Sequence, residues 1–286
     1  MKETIKYIRE RLNPAYPAQE TESLVRIILN HVCHLQIHEL WSGKDTQILP
    51  NERKLIEEIV EGLLKYEPIQ YLLGETEFYG LRFVVNKQVL IPRPETEELV
   101  EWIVSDAKTA YFSNELRVLD IGTGSGCIAI SLAKHLPKAK VYGLDISEEA
   151  LSVARQNAVI NQVAVEWIRQ DILDSCESND LPQTFDIIVS NPPYVTPAEK
   201  AAISQNVLEY EPHLALFTPQ DQPLLFYERI ADFGKKHLCQ HGLVYFEINP
   251  SFGREVVGLL DRKGYHNGVL RQDISGKERM VRGKGE

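Results

Sequence analysis

Phe185-Asp186-Ile187-Ile188-Val189-Ser190-Asn191-Pro192-Pro193-Tyr194 is the stretch that decides the fold. Its first six residues form an apolar, β-branched run of the kind that is buried on both faces of a parallel sheet. Pro192 and Pro193 lack the backbone N–H that a ladder needs, so the strand ends there. Each proline also holds the residue before it, Asn191 and then Pro192, in extended geometry. A stiff corner at the carboxyl end of a central strand is where an open α/β sheet places its ligand. The Asn191 side-chain oxygen and the Pro192 carbonyl form a pair of acceptors suited to the two hydrogens of a planar –NH2 group, with the Tyr194 ring to cover it. Such a set suits alkylation of an amino nitrogen whose lone pair is delocalised. On their own, four residues are as readily an ordinary Pro-Pro strand end with a packed tyrosine, so the surrounding chain has to decide.

On both sides of this corner, strand and helix patterns alternate. Strands are expected at Leu116 to Ile121, Val141 to Asp145, Ala164 to Gln170 and Leu243 to Ile248. Helices are expected at Ser125 to Leu136, Glu148 to Ala158 with Ser147 as its N-cap, Pro223 to Leu238 and Arg254 to Leu260. Val269 to Asp273 and Arg279 to Arg282 suit a closing hairpin. This alternation predicts an α/β fold, a doubly wound and mostly parallel sheet.

The N-terminal part reads differently. Residues 1 to about 75 place apolar residues at helical spacing in Ile5, Ile8, Leu12, in Leu24, Ile27, Ile28, and in Leu55, Ile56, Ile59, Leu63. Acids outnumber bases here, so the region is not a basic arm; it reads as an interaction module or as a stabilising appendage. His31, Cys33, His34 and His38 crowd one helical stretch, but no carboxylate partner singles them out, and no metal site is expected. Residues 76–92 switch to period two, with Phe78, Leu81, Phe83 and Val85, then Val89 and Ile91, flanking Asn86-Lys87, which reads as a β-hairpin linker. Pro94, Glu95, Glu97 and Glu98 suit the first turn of a helix, which leaves Arg93 only a minor claim on a ligand.

The 286 residues suffice for two domains, and the net charge of −10 argues against a general nucleic-acid binder. The four cysteines lie far apart without a C-x-x-C pair, which predicts a reducing, cytoplasmic setting. The N-terminus shows no signal-peptide core, and no apolar run is long enough to span a bilayer.

Leu119-Asp120-Ile121-Gly122-Thr123-Gly124-Ser125-Gly126 is a strand running into a glycine-rich turn and then a helix. Its G-x-G-x-G spacing departs from the G-x-G-x-x-G of dinucleotide sites. The next strand ends in Asp145, placed to bind both hydroxyls of a ribose, and the third in Asp171, placed to meet an adenine amino group with Ile172 beside the ring. Acids at successive strand ends and a loop without a basic residue disfavour a phosphate ligand. They favour an adenosine with a cationic tail, S-adenosylmethionine, whose ammonium Asp120 would face.

With both halves in view, the chain resembles the peptide chain release factor N5-glutamine methyltransferase family. The resemblance covers nearly the whole chain. It is carried by Pro68 to Gly74, Phe78-Tyr79-Gly80, Leu90 to Glu97, Asp120 to Gly126, Asn191 to Tyr194, Glu211-Pro212 and Asp273 to Gly276. The Ile91-Pro92-Arg93-Pro94-Glu95-Thr96-Glu97 stretch is its most specific part; the Asn-Pro-Pro-Tyr corner alone is shared with adenine-N6 DNA methyltransferases. The resemblance implies a helical substrate-recognition domain (1–75), a hairpin linker (76–92) and a seven-stranded, Rossmann-like class I methyltransferase domain (93–286). It implies methylation of the glutamine in the Gly-Gly-Gln loop of class I release factors; the acidic charge and the lack of a spanning apolar run add the expectation of no direct nucleic-acid or membrane contact. Matched residue by residue, the cofactor site comprises Gly122, Thr123, Gly124, Ser125, Gly126, Asp145, Asp171 and Ile172, with Asp120 and Asn191 beside them. The substrate site is Asn191, Pro192, Pro193 and Tyr194, of which Asn191, Pro192 and Tyr194 carry the catalysis. Asn249 departs from the family pattern, which often has glycine at that place.

A glutamine amide nitrogen is a poor nucleophile, so the chain is expected to work by positioning, an effect worth about 7 kcal/mol or more in ideal cases. A DNA adenine-N6 methyltransferase would need a basic face for the phosphate backbone, which the acidic charge disfavours. A protein glutamine other than that of a release factor is a third reading, and a cofactor-binding protein without catalysis is disfavoured by the intact corner.

Overall fold

The computed structural model describes residues 1–34, 47–109, 116–174, 181–219 and 222–286. They form two compact units, residues 1–74 with 204–210, and residues 75–203 with 211–286.

In the first unit, helices α1 (Lys2–Leu12), α2 (Ala18–Cys33), α3 (Pro50–Leu63) and α4 (Ile69–Leu73) follow the apolar spacing of the sequence. Ile8, Leu12, Leu24, Ile28, Leu29, Ile56, Ile59, Val60 and Leu63 close on one core. Each such side chain contributes about 1.5–3 kcal/mol on burial. The Arg9–Glu22 pair, with bonds of 2.6 and 2.8 Å on a half-exposed rim, adds about 1 kcal/mol or less. Burial therefore dominates this unit. The Tyr210 hydroxyl joins it by donating to the Lys65 carbonyl at 2.9 Å. His38 and Cys176 lie outside the described residues. Among the described residues, no three His, Cys, Asp or Glu side chains group to hold a metal.

The second unit opens with a two-stranded hairpin, β1 (Glu75–Phe78) and β2 (Leu81–Val84). Its turn is Tyr79-Gly80 rather than Asn86-Lys87, with φ of 51° and 71°. A two-residue turn of this hand matches the twist of the strands but needs positive φ at both positions, which a tyrosine does not advertise. The Glu97 carboxylate offsets the strain by accepting from the Tyr79 N–H at 2.8 Å. Asn86 makes a smaller Asx-type bend, accepting from the Gln88 N–H. The hairpin is bound into the unit: Phe78 and Phe83 are buried in its core, and the Asn157 amide meets both the N–H and the carbonyl of Val84.

Next come α5 (Pro94–Thr109), β3 (Arg117–Ile121), α6 (Cys127–His135), β4 (Lys140–Asp145), α7 (Glu148–Asn161), β5 (Glu166–Arg169) and β6 (Phe185–Ser190). Then follow α8 (Gln205–Tyr210), which belongs to the first unit, and, back in the second, α9 (His213–Leu216), α10 (Leu225–His237), β7 (Leu238–Glu247), α11 (Gly253–Arg262), β8 (His266–Gln272) and β9 (Glu278–Lys284). The expected sheet forms, seven strands in the order β5-β4-β3-β6-β7-β9-β8. Strands β3 to β7 are parallel, and β9 runs against both its neighbours. Side chains alternate across it: Val118, Val141 and Ile187 meet Leu99, Ile103 and Ile128 on one face. Leu119, Leu144 and Ile188 meet Tyr227, Ile230 and Leu260 on the other. A sheet apolar on both faces must be covered on both, which is what the alternating helices do.

Candidate active site

Strands β3 and β6 are neighbours, with Ile121 beside Ser190, and the buried Ser190 hydroxyl donates to the Ile121 carbonyl at 2.7 Å. The chain leaves β3 towards β4 on one side and returns through β6 on the other. Loops from adjacent strand ends thus part in opposite directions and leave a crevice. A cavity of about 390 Å³ opens there, bordered by Gly122, Gly124, Asp145, Asp171, Ile172, Asn191, Pro192 and Pro193. Its volume lies in the range of small-ligand sites.

Gly122 and Gly124 have φ of 72° and 55°, and a Cβ built on either would meet nothing within 4 Å. The open space is on the cavity side, so the backbone presents itself bare to a ligand. Asp145 accepts from the Gly124 N–H at 2.8 Å and from the Ser147 N–H at 2.9 Å, which sets its carboxylate on the cavity wall; burial raises its pKa. Asp171 accepts from the Leu173 N–H at 2.8 Å. Leu144, Ile146, Ile172 and Leu173 supply an apolar wall between the two acids. Glycine cradle, paired acids and apolar slot fit an adenosine moiety.

Other residues read from the loop do not border the cavity. Gly126 is needed for packing, since a Cβ there would lie 2.9 Å from Ile130 and 3.0 Å from Trp167. Thr123 and Ser125 are buried behind the loop. Asp120 is fully buried and does not reach the cavity wall as the sequence reading expected. In β3 its neighbours Leu119 and Ile121 take the cavity-side face, and the two-residue period turns Asp120 to the other. Its Oδ2 accepts from Thr123 Oγ1 at 2.6 Å and from the Ala129 N–H at 3.2 Å, bracing the loop onto α6, while its Oδ1 has no partner among the described residues.

Burial pushes the Asp120 carboxyl from 3.8 up to about 7. The folded state then binds this proton more tightly than the unfolded chain, so the contribution of Asp120 to stability falls as pH rises from about 4 to 7. Asp120→Asn removes the titration. In paired thermal melts, the Tm of the parent protein minus that of the variant is expected to decrease between pH 4 and pH 8; a constant difference would show that Asp120 does not titrate in this window.

On the opposite wall, Asn191 Nδ2 donates to Thr96 Oγ1 at 3.3 Å. Among the described residues no donor reaches Asn191 Oδ1 or the Pro192 carbonyl, so both acceptors remain available. Tyr194 does not border the cavity. Its hydroxyl donates inward to Glu247 at 3.1 Å, and burial raises its pKa strongly. The hydroxyl thereby ties the corner to the end of β7.

The Pro92-to-Glu98 stretch proves to be more than a helix start, because its residues each fasten a different loop around the site. Arg93 pairs with the buried Glu211 carboxylate at 2.6 Å, Thr96 donates to Glu247 at 2.6 Å, Glu97 holds the hairpin turn, and Glu98 accepts from the Ile274 N–H at 3.1 Å. Asn249 also acquires a role: its amide donates to the Tyr194 carbonyl at 3.2 Å and to both oxygens of Glu199, fixing the loop after the corner. Thr96, Glu211, Glu247 and Asn249 were not legible as site residues. Glu247 carried a signal as an acid near the end of a parallel strand, like Asp145 and Asp171, while Thr96 and Glu211 stand in stretches that carry the family resemblance without a role being read for them.

Residues 100–214 match the family model described as methyltransferase small domain, and residues 3–74 match the PrmC N-terminal domain. The release factor glutamine methyltransferase of Flavobacterium psychrophilum is 46% identical over 273 residues, 96% of the chain and 95% of that relative. The protein of the same description from Bacteroides thetaiotaomicron is 44% identical over 96% of each chain. Among solved structures, the hMettl16 catalytic domain aligns with a TM-score of 0.55 at 15% identity, covering 84% of the chain and 86% of that chain. A methyltransferase from Pyrococcus furiosus aligns with a TM-score of 0.51 at 18% identity, covering 83% and 100%. These two share the α/β fold of methyltransferases.

Proposed function

The chain belongs to the release factor glutamine methyltransferase family, and on that premise we propose that it methylates the side-chain amide nitrogen of the glutamine in the Gly-Gly-Gln loop of class I release factors. The methyl donor is S-adenosylmethionine, which supplies, when bound, an electrophilic methyl on its sulfonium. The observation that carries the reading is the shared cavity: the glycine cradle, Asp145, Asp171 and Ile172 form one wall, and Asn191 with Pro192 forms the other.

The chain's own residues position the amide, and the proton that the nitrogen sheds once alkylated leaves to water. Asn191 Oδ1 and the Pro192 carbonyl accept the two amide hydrogens, which fixes the plane of the –NH2 group and aims the nitrogen into the cavity. Their prearrangement removes the entropy cost of finding that geometry. Gly122 and Gly124 admit the cofactor's tail against the backbone, Asp145 takes the ribose hydroxyls, and Asp171 with Ile172 takes the adenine. Residues 1–75 are assigned to substrate recognition, since both walls of the cavity lie in the second unit. The acidic net charge accords with a protein substrate rather than a nucleic acid, and the absence of a C-x-x-C pair accords with the cytoplasm. No helix among the described residues is long and apolar enough to cross a membrane.

Transfer of labelled methyl to purified class I release factor tests the reading. Label is expected in the factor carrying Gly-Gly-Gln and none in the factor carrying Gly-Gly-Ala; equal labelling of the two would place the reaction elsewhere.

A further inference from the structure

We infer that Glu247 and Thr96 form a hydrogen-bond relay that dictates which end of the Asn191 amide faces the cavity, making both of them positioning residues for methyl transfer. The inference rests on the acceptor role given to Asn191. An asparagine amide has an oxygen and an NH2 group of nearly equal size, and shape alone does not choose between its two orientations. The corner works only in one. With Oδ1 outward, the amide accepts from a substrate –NH2; reversed, it opposes one donor with another.

The choice is made two residues away. Glu247 is buried, which raises its pKa, while the hydrogen bonds from Thr96 and Tyr194 and the nearby Arg279 charge favour its ionised form; in that form the carboxylate only accepts. Tyr194 donates to its Oε1 at 3.1 Å and Thr96 to its Oε2 at 2.6 Å. Two oxygens at that distance need a proton between them, so the single hydroxyl hydrogen of Thr96 is committed to Glu247. Thr96 Oγ1 then offers only lone pairs to its other neighbour. Asn191 meets them with Nδ2 at 3.3 Å, which leaves Oδ1 facing the cavity. The fold supplies the spacing. Phe246 pairs with Ser190 across β7 and β6, so Glu247 and Asn191 are the next residues on adjacent parallel strands. Thr96 sits in the first turn of α5, where Pro94 begins the helix, and is almost wholly buried.

The test compares kcat on a class I release factor, cofactor Kd and Tm for Thr96→Val, Thr96→Ser, Glu247→Gln and Asn191→Ala. Valine matches the shape of threonine without the hydroxyl, and a misaimed reacting group of this kind lowers kcat roughly a hundredfold. Cofactor Kd is expected to stay unchanged. Thr96→Ser keeps the hydroxyl and recovers most of the loss. Glu247→Gln can keep its oxygen towards Thr96 and turn its NH2 to Tyr194, so it is expected to lower kcat less than Thr96→Val does, by roughly tenfold or less. In the Asn191→Ala background, Thr96→Val has no amide left to orient and costs nothing further, whereas independent structural effects would add. The relay is overturned if Thr96→Val turns over at the parent rate. It is also overturned if serine is as impaired as valine, or if the valine effect persists in full beside Asn191→Ala. Asn191→Ala at the parent rate would overturn the role of Asn191 and the relay together; a slow Asn191→Ala beside a fast Thr96→Val overturns the relay alone.

Discussion

Asn191→Ala is expected to lower kcat by about 10²–10³, the usual cost of removing one prearranged polar group from a reacting centre. Cofactor affinity should stay within a small factor, because the cradle of Gly122 and Gly124 and the carboxylates of Asp145 and Asp171 are untouched. The expectation comes from the state of the side chain: its Nδ2 is engaged by Thr96, its Oδ1 accepts nothing from the described residues, and it borders the cavity. Asn191→Asp keeps an oxygen towards the cavity but confronts the Thr96 oxygen with a second acceptor and adds a negative charge. It should lie between alanine and the parent in kcat. If Asn191 were merely structural, both variants would lose Tm together and the folded fraction would turn over normally. Measuring kcat, cofactor Kd and Tm on the two variants separates these patterns.

The second large effect is expected on cofactor binding. Asp145→Ala should weaken S-adenosylmethionine affinity by about 1.5–3 kcal/mol, the range for hydrogen bonds to a charged group. That is roughly a ten- to hundredfold rise in Kd, readable by calorimetry. The same carboxylate also accepts from the Gly124 and Ser147 N–H groups. Its loss therefore frees the glycine cradle as well as the ribose contact. Asp145→Asn retains one acceptor and should fall between. At saturating cofactor, kcat of Asp145→Ala should approach that of the parent, in contrast to Asn191→Ala. An unchanged Kd would remove Asp145 from the cofactor wall.

Several features of this site were written in the chain itself, because they depend on local backbone physics. Pro192 and Pro193 end a strand wherever they stand, since neither has an N–H to donate. Gly122 and Gly124 mark a turn at positive φ that other residues resist. The alternation of apolar strands and amphipathic helices then requires a parallel sheet covered on both faces, and its switch point brings the two loops together. Other features required the tertiary structure. Asp120 reads like Asp145 as an acid beside the loop, but the two-residue period of β3 sends it beneath the loop instead. The hairpin turns at Tyr79 because Glu97, 18 residues away, holds the strained N–H. Thr96 stands 151 residues from Glu247 and 95 from Asn191, and only the register of β6 against β7 and the docking of α5 make them neighbours. Backbone sterics act within a few residues and leave a trace in the sequence. The direction of a buried hydrogen bond is set by whichever group lies opposite, and that group is known only once the strands are in register.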